Sequence, residues 1–209
     1  IEARLEQAGT AWVKDVSSCA AWPVPDLPPD PESFFGNHVN AWYDGQFLRQ
    51  AARLGQSWMR GHNMLQATWW CRVQPEPDSF TWSYDFQMEA IRELGFPVLG
   101  QLFGVPYWAD ANGPRERPAR GSYPRGARPK LDPFREYVFR TVSRYKNDIR
   151  YWETWNEPAV SMFWRGTPEQ FAEVCRVAYE AAKAADPDCI VMPAGFTTPA
   201  WRWHEAAAK

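Results

Sequence analysis

The sequence has little of what binds nucleic acid or a membrane. Its 23 Lys and Arg against 25 Asp and Glu leave a formal net charge of −2 over 209 residues. No basic field therefore draws in a phosphate backbone or an anionic lipid surface. No apolar run approaches the roughly 20 residues of a membrane-spanning helix. No basic-then-apolar leader opens the chain, which begins with Ile1. Cysteine is scarce: Cys19, Cys71, Cys175 and Cys189 form neither a C-x-x-C pair nor a Cys/His cluster, so neither zinc nor a redox pair is indicated. Cys175 and Cys189 fall in apolar stretches and are expected as buried small hydrophobes, although an even count leaves disulfides open. Gly100 and Gly104 flank an apolar run without dinucleotide-loop spacing, and no Gly-rich phosphate cradle is present. No cofactor and no metal are expected.

Aromatic rings, by contrast, are plentiful: 13 Trp, 12 Phe and 8 Tyr make up 16% of the chain. Most such rings fill a core, but flat rings also stack on the apolar faces of sugars, so a Trp-rich cleft suits carbohydrate.

Residues 1–32 match no repeating α/β unit. A short helical or extended piece leads into Trp22-Pro23-Val24-Pro25-Asp26-Leu27-Pro28-Pro29-Asp30-Pro31, which cannot hold a helix. This part is expected as an N-terminal extension or linker.

From residue 33 to residue 209, strand-like and helix-like segments alternate, the pattern of a parallel α/β architecture. The expected strands are Ser33–Val39, Ser57–Arg60, Phe96–Phe103, Ile149–Trp155 and Cys189–Gly195. The expected helices are Asp44–Leu54, Tyr84–Leu94 with Gly95 as a left-handed cap, one opening at Asp132-Pro133, one opening at the capping-box string Thr167-Pro168-Glu169-Gln170, and one over 200–209. A hairpin-like excursion carries Trp69, Trp70 and Trp82. Residues 104–131 form a long loop, which in a compact domain is usually functional or mobile. Phe134, Tyr137, Val138, Thr141, Val142 and Tyr145 follow a 3.6-residue stripe, and Phe171, Val174, Cys175, Ala178 and Ala182 line the next helix.

The chemistry concentrates in Tyr151-Trp152-Glu153-Thr154-Trp155-Asn156-Glu157-Pro158, where an amide and a carboxylic acid stand side by side at a strand's end. In a parallel barrel, the C-terminal ends of the strands converge on the face that carries the reaction. Glu157 is the candidate general acid/base, a role that calls for a pKa raised by burial and a neighbouring negative charge. Glu153, four residues earlier, lies deeper along the strand and reads as a paired buried carboxylate or a strand-start contact. Arg60, set in the apolar Trp58-Met59 run, needs a carboxylate partner if buried. Trp108 is a candidate sugar platform or a core ring, Trp155 equally a packing ring, and His38 a strand-end candidate to reach a substrate hydroxyl. His62 carries the same reading with less weight.

The string ending in Trp-Asn-Glu-Pro resembles the acid/base strand of clan A glycoside hydrolases. Phe80-Thr81-Trp82 with Asp85, then Glu93-Leu94-Gly95-Phe96-Pro97-Val98-Leu99, then Pro106-Tyr107-Trp108, are similar to the second-to-third unit of many members, notably of families 39, 5 and 42. The resemblance spans roughly residues 33–200. It implies an incomplete (β/α)8 TIM barrel, about its first five β/α units, and a retaining glycosidase acting on a β-linked oligo- or polysaccharide. In that setting Asn156 binds the sugar 2-hydroxyl and Arg60 orients the nucleophile. That nucleophile is a Glu ending the seventh strand, and no residue here matches it. Both ends of the chain therefore read as cut, and the 209 residues alone are not expected to hydrolyse glycosides. A non-catalytic carbohydrate-binding barrel is the alternative. A lyase or aldolase would want a strand-end Lys or a metal cluster, and the sequence has neither. The expected partner is carbohydrate, without nucleic acid or membrane; compartment and oligomeric state stay open.

Overall fold

A computed structural model describes residues 4–7, 10–13, 29–33, 35–38, 46–62, 65–113, 123–196 and 201–207. Val39, Asp44, Cys19, the Trp22–Pro28 part of the Pro-rich stretch, residues 114–122 of the long loop, residue 200 and residues 208–209 lie outside them.

Five strands form one parallel sheet in chain order: β3 (Gly36–Asn37), β4 (Trp58–Arg60), β5 (Val98–Leu102), β6 (Tyr151–Thr154) and β7 (Ile190–Pro193). Helices alternate with them: α1 (Gln46–Arg53), the short α2 (Trp70–Val73), α3 (Asp85–Leu94), α4 (Leu131–Tyr145), α5 (Pro168–Ala185) and α6 (Trp201–Ala207). This is the β/α alternation of a parallel barrel, carried through five units. Ahead of it, β1 (Arg4–Gln7) and β2 (Thr10–Val13) pair antiparallel in a sheet of their own. Among the described residues no helix is long and apolar enough to cross a membrane.

All five strands are shorter than the segments expected for them: β5, β6 and β7 lose residues at both ends, and β4 loses Ser57 at its start and keeps Arg60 as its end. The excursion expected as a hairpin is instead helical. A 3-10 turn at Gln66–Thr68 runs into α2, and Trp70 stacks on Tyr137 of α4 with ring centroids 5.1 Å apart. Burying the Trp70 ring against Phe134 and Tyr137 favours the compact helical turn; among the described residues of the excursion the one bridge is the isolated pair Glu76 and Ser79. Helix α4 also begins earlier than Asp132-Pro133 suggests. Its first residue is Leu131, and Pro133 sits inside the first turn, where the missing N–H has no intrahelical partner to lose.

Other local signals hold. Gly95 caps α3 at φ 70°, and both bonds of the Thr167/Gln170 capping box are present at α5. The six-residue stripe of α4 is buried throughout. On α5, however, Cys175 is only half-buried and Val177 takes the buried place. β7 is likewise less buried than its apolar sequence suggests, because among the described residues it is an edge strand, paired with β6 alone. Cys189, just before it, is fully buried.

The parallel register sorts the strand residues onto two faces. Met59, Val98, Leu102, Trp152 and Thr154 are buried on the helix-covered face. On the other face Trp58, Leu99 and Tyr151 are half-buried, and Ile190 is exposed. Gly100 lies opposite Trp152 in the ladder, and the indole covers its Cα so closely that a Cβ there would stand 2.9 Å from the ring.

Candidate active site

Strand β6 supplies the centre of the site. Glu153 pairs in register with Gln101 of β5, and both side chains are buried on the face away from the helices, near the C-terminal ends of their strands. Past Thr154 the backbone leaves the strand sharply. Trp155 has φ 76° and Glu157 has φ 41°, both in the left-handed region that side-chain-bearing residues seldom occupy. The turn is held by three backbone bonds: Trp155 N to Leu102 O at 3.1 Å, Glu157 N to Gly195 O at 3.2 Å, and Val160 N to Glu157 O at 2.9 Å. The Trp155 ring is buried edge-on against Phe103 and Trp164, and its Nε1 donates to Phe163 O at 3.1 Å. Of its two sequence readings, Trp155 takes the packing one, and that packing anchors the strained turn.

Glu153 is saturated with donors. Arg60 reaches its Oε2 through Nε at 2.8 Å and NH2 at 2.7 Å, and Gln101 Nε2 reaches the same oxygen at 3.2 Å. The backbone N of Gly195, in the loop after β7, donates to Oε1 at 2.9 Å. The partner that Arg60 requires and the partner that Glu153 requires are thus each other. The Glu153 side chain is 6% exposed and that of Arg60 21%, so removing either partner leaves the other poorly compensated, at a cost of up to about 3–5 kcal/mol.

Arg60 then reaches beyond Glu153. Its NH2 donates to Asn156 Oδ1 at 2.9 Å, and its NH1 lies 3.2 Å from His38 Nε2. A guanidinium has no acceptor, so His38 Nε2 accepts and the imidazole carries its proton on Nδ1. Burial and the Arg60 charge hold the His38 pKa below the ordinary histidine value, with Glu153 opposing. His62 is more deeply placed, its Nδ1 2.7 Å from Gln101 Oε1, and is ringed by Trp69, Phe103 and Phe163. Burial likewise lowers its pKa, against the Gln101 hydrogen bond.

Arg60, Glu153, Gln101, Asn156, His38 and His62 therefore form one hydrogen-bonded cluster drawn from four strand ends. Glu157 follows directly, half-buried, and no described residue donates a hydrogen bond to its carboxylate. Trp108 is not joined to this cluster by any described contact. It sits in a 3-10 turn after β5, edge-on to Trp70 at 5.7 Å, with Nε1 donating to Gln74 O at 3.3 Å. Gln101 and the Gly195 amide went unnoticed in the sequence. The first had a signal, a lone amide inside an otherwise apolar strand; the second, a backbone group, had none. Among the described residues no three His, Cys, Asp or Glu stand together as a metal site.

No protein-family model and no curated protein matches the chain. Solved structures do match its fold. A monomeric β-xylosidase from Caulobacter crescentus CB15 is 21% identical with a TM-score of 0.54, over 71% of this chain and 31% of that one. A family 39 glycoside hydrolase from Bacteroides cellulosilyticus WH2 is 19% identical at TM-score 0.50, over 68% and 27%. Xylanase 10B of Thermotoga maritima is 24% identical at TM-score 0.50, over 76% and 48%. The chain thus spans between a quarter and a half of the length of these structures, and its fold is part of the TIM-barrel type they share.

Proposed function

We propose that the chain is the acid/base part of a clan A retaining glycoside hydrolase that cleaves a β-linked oligo- or polysaccharide by double displacement. In this reading residues 1–32 are an extension ahead of the barrel part, 33–209. The observation that carries it is the Arg60–Glu153–Asn156 cluster at the strand ends, which holds Asn156 directly before Glu157 on a turn with left-handed backbone at Trp155 and Glu157.

Glu157 donates its proton to the glycosidic oxygen as the anomeric C–O bond breaks. A second carboxylate, contributed from outside these 209 residues, bonds to the anomeric carbon; in retaining enzymes the two groups stand about 5–5.5 Å apart. Water then attacks that carbon while Glu157 takes its proton, which releases the second carboxylate. Asn156 binds the 2-hydroxyl, a contact that strengthens as positive charge develops on the ring. Arg60 orients the second carboxylate and His38 reaches a substrate hydroxyl, with Trp108 as a more distant platform.

The test is a panel of aryl β-glycosides with the intact gene product, β-xylosides first because two of the matched structures are named for xylose-containing substrates. Hydrolysis with retained anomeric configuration, and trapping of a glycosyl-enzyme by a 2-fluoro glycoside, is the expected result. A folded protein that hydrolyses none of the panel yet binds oligosaccharide overturns it.

A further inference from the structure

We infer that Glu153 is a positioning residue that fixes which end of the Asn156 amide meets the substrate, acting through Arg60; the inference rests on the sugar-binding role proposed for Asn156. An asparagine amide can present either its oxygen, an acceptor, or its NH2, a donor, and the two orientations fill nearly the same space. Here the choice is made by Arg60, whose NH2 donates to Asn156 Oδ1 at 2.9 Å. The oxygen is thereby occupied, and Nδ2, which meets no acceptor among the described residues, is the end left for a ligand.

Arg60 can impose this only because its own orientation is fixed. Its Nε and NH2 both bind Glu153 Oε2, and Glu153 is in turn held by Gln101 Nε2 and by the backbone of Gly195. The relay runs from the β7 loop and β5, through one carboxylate of β6, to the guanidinium of β4 and back to the residue before Glu157. Glu153 touches no reacting atom on this path. Its two oxygens already accept from four donors, three at Oε2 and one at Oε1, and its effect is exerted on Asn156. The group bound at Asn156 must then accept a hydrogen bond, as a hydroxyl oxygen does.

Glu153→Gln keeps size and shape while removing the charge that holds the guanidinium, and it is compared with Glu153→Ala. On substrates with the 2-hydroxyl, Glu153→Gln is expected to lower kcat/KM by about 100-fold, the scale for a misplaced group. On the matching 2-deoxy substrates the loss should be at least about tenfold smaller, because the Asn156 contact is already missing there and only the reach of Arg60 to the second carboxylate is left to disturb. Equal losses on both substrates, or none on either, overturn the inference.

A second readout does not depend on turnover. The side-chain amide protons of Asn156, assigned by their disappearance in Asn156→Asp, should exchange with water faster in Glu153→Gln than in the parent. Unchanged exchange overturns the relay. If the parent protein hydrolyses nothing, the glycosidase reading fails by itself, and amide exchange still decides the role of Glu153.

Discussion

The Gln101 side chain accepts from the His62 ring at 2.7 Å, and only one tautomer of the imidazole fits that contact. Gln101 Nε2 donates to two pure acceptors, Glu153 Oε2 and Trp155 O, so its oxygen must face His62. His62 Nδ1 therefore bears the proton of the neutral ring, and burial together with the Arg60 charge disfavours a second proton on Nε2.

A pH dependence follows from that neutrality. The folded-state pKa of His62 lies below the ordinary value of 6.5, chiefly through burial. Below about pH 6.5 the unfolded chain takes up a proton that the folded chain resists, so stability present above that pH falls as the medium becomes more acid. Arg60 and His38 push in the same direction, and Glu153 opposes them. Urea midpoints measured from pH 7.5 down to 5 should decline, with a slope of at most about 1.4 kcal/mol per pH unit from this one proton. In His62→Asn, whose amide can still donate to Gln101, the decline should be visibly shallower. A parallel slope in parent and variant would place the effect elsewhere.

Glu157→Gln removes the transferable proton but keeps the shape. For glycosides with alkyl or sugar leaving groups, rates should drop by about 100-fold or more, the usual contribution of general acid catalysis. For dinitrophenyl glycosides, whose leaving group needs no proton, glycosylation should be little affected. Equal loss on both series would remove Glu157 from the acid/base role.

Stability and activity should part company at the same residue. At φ 41° a glutamate occupies backbone space that asparagine tolerates better. No described residue donates a hydrogen bond to the Glu157 carboxylate, so its loss leaves no donor unpaired. Glu157→Asn is expected to raise stability by about 1 kcal/mol while abolishing hydrolysis. A lower thermal midpoint in this variant would contradict the strain.

Gly100→Ala tests the packing beneath the site. A Cβ there would meet two ring atoms of Trp152 and Cγ2 of Ile149, all at 2.9 Å and all buried. An indole wedged under the helices cannot yield easily, and overpacking of this kind costs about 1–3 kcal/mol. A chemical denaturation curve of the variant reads the loss directly, and no change in midpoint would mean the ring has room to move.

Much of this architecture is legible along the chain because its signals are local. The Thr167 capping box, the Gly95 cap and the α4 stripe each occupy a few consecutive residues, and each is found where its spacing puts it. The turn chemistry of Asp132-Pro133 misleads by only a residue or two, since the first turn of a helix accommodates a proline anywhere its N–H is unused. Trp69 and Trp70 mislead more, because their partner rings lie far along the sequence, and tertiary packing rather than the local pattern decides that they enter helical turns. In the candidate site the residue types were readable and their pairings were not. Arg60 asks for an acid and Glu153 for a base, but nothing in the segment between them, 93 positions apart, says that they meet. Cys175 and β7 show the same limit from the other side: apolar composition announces burial, while position at a sheet's edge withholds it.

The strand order of the sheet has a consequence for synthesis. Each strand from β4 to β7 pairs with the one made just before it, so the sheet can be laid down from β3 onward as the polypeptide leaves the ribosome. At about 5–20 residues per second, the 93 residues separating Arg60 from Glu153 take roughly 5–20 s to translate. For that interval the guanidinium is without its carboxylate. The cluster around Asn156 is therefore among the last features of the sheet to assemble, and codon-level slowing before β6 would prolong the wait without altering the fold that follows.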